Sequence, residues 1–416
     1  MRERRHNALS LMFFLCAAFA FLLRATISPQ LMNMVVPYST DGGSLPEKLH
    51  PGTYAIFLLL AAIFITQPIL LKGEEVRLFK ATIRYSILNL LIVPFLFITG
   101  RAGSAGFIID TYLVSCAAAL IMLCFNDAQR RALGNVILVM FVLSAIIGTA
   151  EAITHHRFLP YTLRELEFRP IGLSSHPLAL GAFSATAIGF VAVTRWPVWV
   201  RALCILILFI GTAASGARAA LLLAVCEILI LLVLQPWPNL SSRHQRKAKF
   251  AVILLTVAGG AALVAVLSSA GFLSRFGNTI FDENYMARVT IYQIFQLVSW
   301  KEIMFGMNVT DLLMMVNKKL NLPYIESAPV VITLLFGLPI ALVFAAGFFG
   351  FFFRLLVNAP RASCIAAIVF LLTALSNNAL SSKAPDVMLV VILLLAYRNP
   401  DPASMAGASR SVRPSR

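Results

Sequence analysis

Two apolar runs, ALCILILFIGTAA (202–214) and RAALLLAVCEILILLVL (218–234), are separated only by Ser215-Gly216-Ala217, and their reading decides the fold. Apolar runs of this kind joined by almost nothing are expected to be two membrane-spanning helices meeting in a tight turn. The pattern continues in both directions. Upstream lie apolar segments at 8–27, 54–71, 82–99, 107–125, 133–153 and 177–193; downstream lie 250–269, 329–353, 362–380 and 385–397. Counted together they make about twelve spans. The fold class expected is therefore all-α: a polytopic transmembrane helical bundle with a helical periplasmic loop between spans nine and ten. In domain terms, 1–270 holds spans one to nine, 271–328 the loop, 329–397 spans ten to twelve, and 398–416 a basic cytoplasmic tail.

Composition agrees. Apolar residues make up 59% of the chain and charged residues 12%, against about 25% charged in a soluble domain. The net charge of +16 does not point to nucleic acid, because no binding motif for it is present and Lys and Arg collect in cytoplasmic loops against anionic lipid. Six cysteines fall within or beside apolar runs without a CxxC, so they read as small core residues rather than a disulfide or zinc framework. No P-loop, GxSxG, HExxH or GxGxxG occurs, and His155-His156 lack further ligands at metal spacing; neither a metal nor a cofactor is expected.

Charge sets the orientation. The N-terminal Arg2–Arg5, the even-numbered connections and the tail hold about 20 of the 34 Lys and Arg. The odd-numbered connections hold most acids, among them Glu165, Glu167, Asp282, Glu283, Asp311 and Glu326. By the positive-inside rule both termini are cytoplasmic and the long loop faces away from the cytoplasm. Ala18-Phe19-Ala20 resembles a signal-peptide cleavage site, but apolar character continues to Ile27, so an uncleaved first span is expected. The long loop after span nine, with no internal repeat, differs from a transporter of two six-span halves.

That loop is the one long polar interruption, roughly 58 residues rich in charge and amides, and function concentrates in such segments. Within it, Arg288 lies in a stretch, Tyr285 to Trp300, expected to be helical, with Ile291, Tyr292 and Phe295 on its own face. A buried anion or a salt bridge with Asp282 or Glu283 would each explain it. Glu326, at the entry to span ten, is a candidate general base or a helix-start acid. Two short turns add candidates. Arg169-Pro-Ile-Gly172-Leu-Ser-Ser-His176-Pro177 is an anion-binding lip or a polar turn; Pro177 suits a first helical turn, where the helix dipole disfavours a second proton on His176. Ser215-Gly216-Ala217-Arg218 puts a guanidinium at a helix start, a phosphate-binding corner or a snorkelling arginine. Glu227, inside span eight, is expected to be paired within the bundle.

Together these segments resemble the O-antigen ligase and polysaccharide polymerase family of bacterial inner membranes. Its Arg–x–x–Gly segment followed by Asn/His–Pro is similar to Arg169-Pro-Ile-Gly172 with His176-Pro177, and its Ser–x–x–Arg pattern to Ser215 through Arg218. A loop arginine followed by aromatics and a glycine turn is similar to Arg288, Trp300 and Phe305-Gly306, and a polar residue before an apolar run and a glycine to Glu326 through Gly337. The resemblance implies a metal-independent, inverting glycosyltransferase whose donor is a glycan on undecaprenyl diphosphate, with lipid A core or a growing glycan as acceptor and a chain-length regulator as partner. Arg218 and Arg288 would act with Glu326 in catalysis; Arg169, His176 and Ser215 would bind substrate. The loop then closes as a lid over a site shared with the bundle. The family's ligases carry a histidine where this chain has Glu326, which favours a polymerase. The alternative is a transporter or flippase for lipid-linked oligosaccharide, which needs the arginines but no base.

Overall fold

The computed structural model describes residues 2–39, 44, 46–162, 168–234, 242–269, 289–322 and 325–399. Among them there is helix and no strand. In chain order the principal helices are α1 (Arg2–Thr26), α2 (Pro51–Thr66), α3 (Glu74–Ile98), α4 (Ala102–Cys124), α5 (Asp127–Thr154), α6 (Pro177–Ala192), α7 (Val198–Ala214) and α8 (Arg218–Leu234). They continue with α9 (Ser242–Ser269), α10 (Trp300–Phe305), α11 (Val309–Leu320), α12 (Ala328–Phe336), α13 (Leu338–Leu356), α14 (Arg361–Leu375) and α15 (Asp386–Ala396). Five of the described helices are long and apolar enough to cross a membrane: α1 from Ala8, α3, α4, α5 and α13. Shorter apolar helices are α2, α6, α7, α14 and α15.

The chain forms two compact units. The first comprises Met1–Ile137, Met286–Pro360 and Ala374–Arg416. At its centre α15 packs on α4, and every residue of α15 is buried, as a helix apolar on all sides requires. Tyr85 of α3, Tyr112 of α4 and Phe344, Phe348 and Phe351 of α13 interlock around them; the Tyr112 and Phe344 rings meet edge-on at 4.8 Å.

Polar side chains gather at both ends of this unit. At one end Arg130 reaches Glu75 at 2.7 Å, Arg354 pairs with Glu74, and Arg398 donates to the Val357 carbonyl at 2.9 Å. These are connections that the charge pattern assigns to a single side of the membrane. At the other end Asp110 sits fully buried in a π-helical turn, Ile108–Leu113, inside α4. Its carboxylate accepts from Tyr38 Oη at 2.7 Å, Thr53 Oγ1 at 2.7 Å and the His50 N–H at 3.2 Å. Its carbonyl accepts from Arg24, itself 1% exposed, at 3.0 Å. Lys383 closes the same end by donating to the Tyr38 and Lys48 carbonyls at 2.6 and 2.8 Å. A Cβ on Gly106 would lie 2.8 Å from Lys383 Cε, so a side chain there would have to shift the end of the lysine. Burial pulls the Lys383 ammonium down to about 8, and burial together with the Arg24 charge pulls the His50 imidazole down to about 3. Burial, with the Asp110 carboxylate adding to it, holds the Tyr38 phenol well above its ordinary range.

Asp110→Asn is expected to lower stability by about 1.5–3 kcal/mol, the worth of a hydrogen bond to a charged group, since an amide turns one acceptor into a donor facing donors. Thermal unfolding in detergent measures it; a variant as stable as the parent would show that the network is not a structural tie.

Two expectations are corrected in this unit. The apolar run 329–353 is not one helix: it breaks at Gly337, whose φ of +82° separates α12 from α13. A Cβ there would lie 2.4 Å from the Met304 carbonyl oxygen, so a side chain has no room. Nor does a single helix reach Trp300. It ends at Leu297, and Ser299 starts α10 with a capping box to Glu302. The described part of the long polar stretch has its own small core, in which Ile291, Ile294, Leu312 and Val316 meet Ile325, Val330 and Leu334. Arg101 ties it down by donating to the carbonyls of Phe305, Gly306 and Leu335 at 2.8–2.9 Å.

The second unit comprises Leu138–Tyr285 and Arg361–Thr373. Here α6 packs against α7 and α8. Small residues allow the close approach: a Cβ on Gly181 would lie 2.6 Å from Ala217 Cβ, and one on Gly211 2.6 Å from Ala145 Cβ. Glu227 of α8 is 1% exposed, yet neither of its carboxylate oxygens has a hydrogen-bond partner. The expected pairing is therefore absent: no side chain of the described residues bonds to it. Cys16 and Cys226 are exposed rather than core residues; Cys116 is buried.

Candidate functional site

The second unit brings two of the sequence motifs together. Pro177 occupies the first turn of α6, where its missing N–H is not needed. His176 caps that helix, its Nδ1 accepting the Leu178 N–H at 3.1 Å. Burial first, then the charges of Arg169 and Arg157, pull this imidazole down to about 4. The imidazole is thereby held toward its neutral form, with Nδ1 as the engaged acceptor and Nε2 left to carry the proton.

The segment leading to His176 is held from below by α5. The Glu151 carboxylate, fully buried, accepts N–H bonds from Ile171 at 2.7 Å, Gly172 at 2.8 Å and Phe158 at 2.9 Å. Ser144 Oγ accepts the Leu173 N–H at 3.0 Å. Gly172 has φ +55°, and a Cβ there would lie 2.3 Å from the Ser144 carbonyl oxygen. Only glycine allows the loop to press this closely on α5.

Arg169 leaves this loop and donates from Nε to the Ser215 carbonyl at 3.1 Å, joining the α5–α6 loop to the α7–α8 turn. Behind it, Arg157 Nε donates to the Arg169 carbonyl at 2.9 Å, and its guanidinium stacks 4.2 Å from the Tyr161 ring centre and 5.0 Å from that of Phe168. In the turn, Ser215 Oγ donates to the Thr212 carbonyl at 2.7 Å and accepts the Ala217 N–H at 3.2 Å, and Gly216 takes φ +67°. Arg218 follows as the first residue of α8. Arg157 and Arg169 thus lie near His176, and Arg169 ties them to the turn that leads into Arg218, an arrangement suited to phosphate or diphosphate. The Ser215 side chain is buried in its turn and contributes to the corner chiefly through the carbonyl that holds Arg169.

Glu326 belongs to the first unit, half-buried and two residues ahead of α12. Next to it, Ser327 Oγ donates to Tyr292 Oη at 3.3 Å, and the Ala328 N–H donates to the Asn377 carbonyl at 3.1 Å. Arg288, with Asp282, Glu283, Glu165 and Glu167, lies outside the described residues. Among the described residues no group of three or more His, Cys, Asp or Glu is placed to hold a metal ion.

Sequence reading missed Glu151 and Arg157. The signal for Glu151 was present, an acid at the end of an apolar run, where an unpartnered charge would be expensive. Glu151→Gln is expected to cost about 1–3 kcal/mol, because one of the three buried N–H groups then faces an amide NH2. A thermal-unfolding series including Glu151→Gln checks this, and no change in midpoint would count against the role.

No protein-family model matches the chain, and no curated protein is significantly similar to it.

Proposed function

We propose that this protein is a metal-independent, inverting glycosyltransferase of the polymerase or ligase type. Its donor is a glycan on undecaprenyl diphosphate, at the periplasmic face of a bacterial inner membrane. The observation that carries the reading is the Arg169–Ser215 hydrogen bond, which unites the two arginine motifs of the resemblance in one cationic corner. Such a corner can hold a diphosphate and stabilise its negative charge as it leaves the anomeric carbon. Arg218 and Arg169 bind the diphosphate, with Arg288 as a further cation from the loop. Glu326 takes the proton of the acceptor hydroxyl, which then attacks with inversion.

About twelve spans with both termini cytoplasmic fit the gathering of Glu74, Glu75, Arg130, Arg354 and Arg398 at one end of the first unit. The loop 271–328 would then be periplasmic. The test is purified protein in liposomes with undecaprenyl-diphosphate oligosaccharide and acceptor glycan, with and without a chelator. Lengthened or transferred glycan in both conditions is expected. No product in either, with folded protein, overturns the reading, and loss only with chelator overturns metal independence.

A further inference from the structure

The second unit buries two glutamates and treats them oppositely. Glu151 receives three backbone N–H donors, as an ionised carboxylate needs. Glu227, midway along α8, receives none. Carbonyl and hydroxyl oxygens of α6 and α14 lie around it. A Cβ on Gly189 of α6 would lie 2.4 Å from Glu227 Oε1 and 2.7 Å from the Ala362 carbonyl oxygen of α14, so both oxygens address one point that only a glycine leaves open. Thr186, one turn before Gly189, and Ser363, beside Ala362, are also buried with hydroxyls that lack partners. A proton on the Glu227 carboxyl gives it a donor of its own, which can be offered to one of these oxygens.

No counter-charge serves this carboxyl group. Helix α6 has no titratable side chain, and α8 has only Arg218 at its start and the exposed Cys226 besides Glu227. Cations on the other helices are Arg201 of α7, Arg361 of α14, and Arg243, His244, Arg246, Lys247 and Lys249 of α9; Glu151 of α5 with Cys204 and Cys364 completes the titratable groups. None of them forms a hydrogen bond to Glu227. Burying an ion unpaired costs several kcal/mol, whereas the neutral acid carries its own donor.

We propose that Glu227 is a proton-binding site within the helices of the second unit, carried as the neutral acid with its hydroxyl turned to an oxygen of α6 or α14. Binding takes one proton from a hydronium ion of the solvent: one O–H bond of the ion breaks, one carboxyl O–H forms, and water is released. Intramembrane carboxylates of this kind mark proton sites, and the assignment does not depend on the glycosyltransferase reading.

Infrared spectroscopy on the full chain in lipid nanodiscs at neutral pH tests it. The carbonyl-stretch band of a protonated carboxylic acid is expected, shifting in heavy water and on labelling glutamate with carbon-13 at its carboxyl. Glu227→Gln, the isostere of the neutral acid, is expected to lose that band and to keep the parent's melting temperature. If the variant does not fold, the labelled parent alone decides: no glutamate band in the protonated region overturns the proposal. A melting temperature that rises with sodium at fixed pH, and no longer does so in Glu227→Gln, would also overturn it by assigning the site to a metal cation.

Discussion

Arg218→Ala is expected to lower glycan transfer by a factor of about 10²–10³, the usual effect of removing one donor to developing negative charge. The reasoning starts from position. Arg218 is the first residue of α8, directly after a turn fixed by the Ser215 hydroxyl and by Gly216 at φ +67°. The same turn is tied to Arg169 through its Ser215 carbonyl, so the backbone carrying Arg218 is anchored from two sides. A guanidinium mounted on an anchored helix start can meet a departing diphosphate without reorganising. Arg218→Lys should recover only part of the loss, since an ammonium cannot make the two-pronged contact to phosphate. The turnover rate at saturating lipid-linked donor is the measurement, with melting temperature confirming that the fold survives. Activity within a few-fold of the parent would remove Arg218 from the mechanism.

Glu326→Gln should cut transfer by about 10²–10⁴, the range for a lost general base. The amide keeps the size of the side chain and its place ahead of α12, where Ser327 bonds to Tyr292 and Ala328 to Asn377. What it removes is the ability to take a proton. Passage of lipid-linked oligosaccharide across the bilayer needs no base, so it should persist in this variant if it occurs at all. A variant that still transfers glycan at the parent's rate, or a parent that moves the lipid without any transfer, would favour the transporter reading.

The helix ends beside the candidate corner were legible residue by residue. The runs ending at Ala214 and beginning at Arg218 and Pro177 coincide with α7, α8 and α6, because glycine and proline have local, stereochemical effects. The break at Gly337 was not legible in hydropathy: Leu334-Leu335-Phe336-Gly337-Leu338 is apolar throughout, and the need for a glycine comes from the Met304 carbonyl, far away in sequence. The long polar stretch read as a lid over the bundle. Its described part is a helical segment with its own apolar core, which hydropathy did not show, because α11 packs Leu312 and Val316 against α12 residues that lie beyond the loop.

Composition and the spacing of apolar runs by themselves determined that the chain is helical and suited to a membrane, since burying apolar surface in lipid is a property of local segments. The short motifs between the runs also singled out Arg169 and Arg218, though not Arg157. Tertiary structure alone decided what each buried acid is. Asp110, Glu151 and Glu227 look alike as acids in apolar runs. Yet Asp110 is met by Tyr38 and Thr53, 72 and 57 residues away, and Glu151 by Ile171 and Gly172, 20 and 21 residues away. Glu227 is met by no donor. Whether a carboxyl group is a structural anion or a carrier of a proton depends on donors delivered from distant parts of the chain, and hydropathy does not record them.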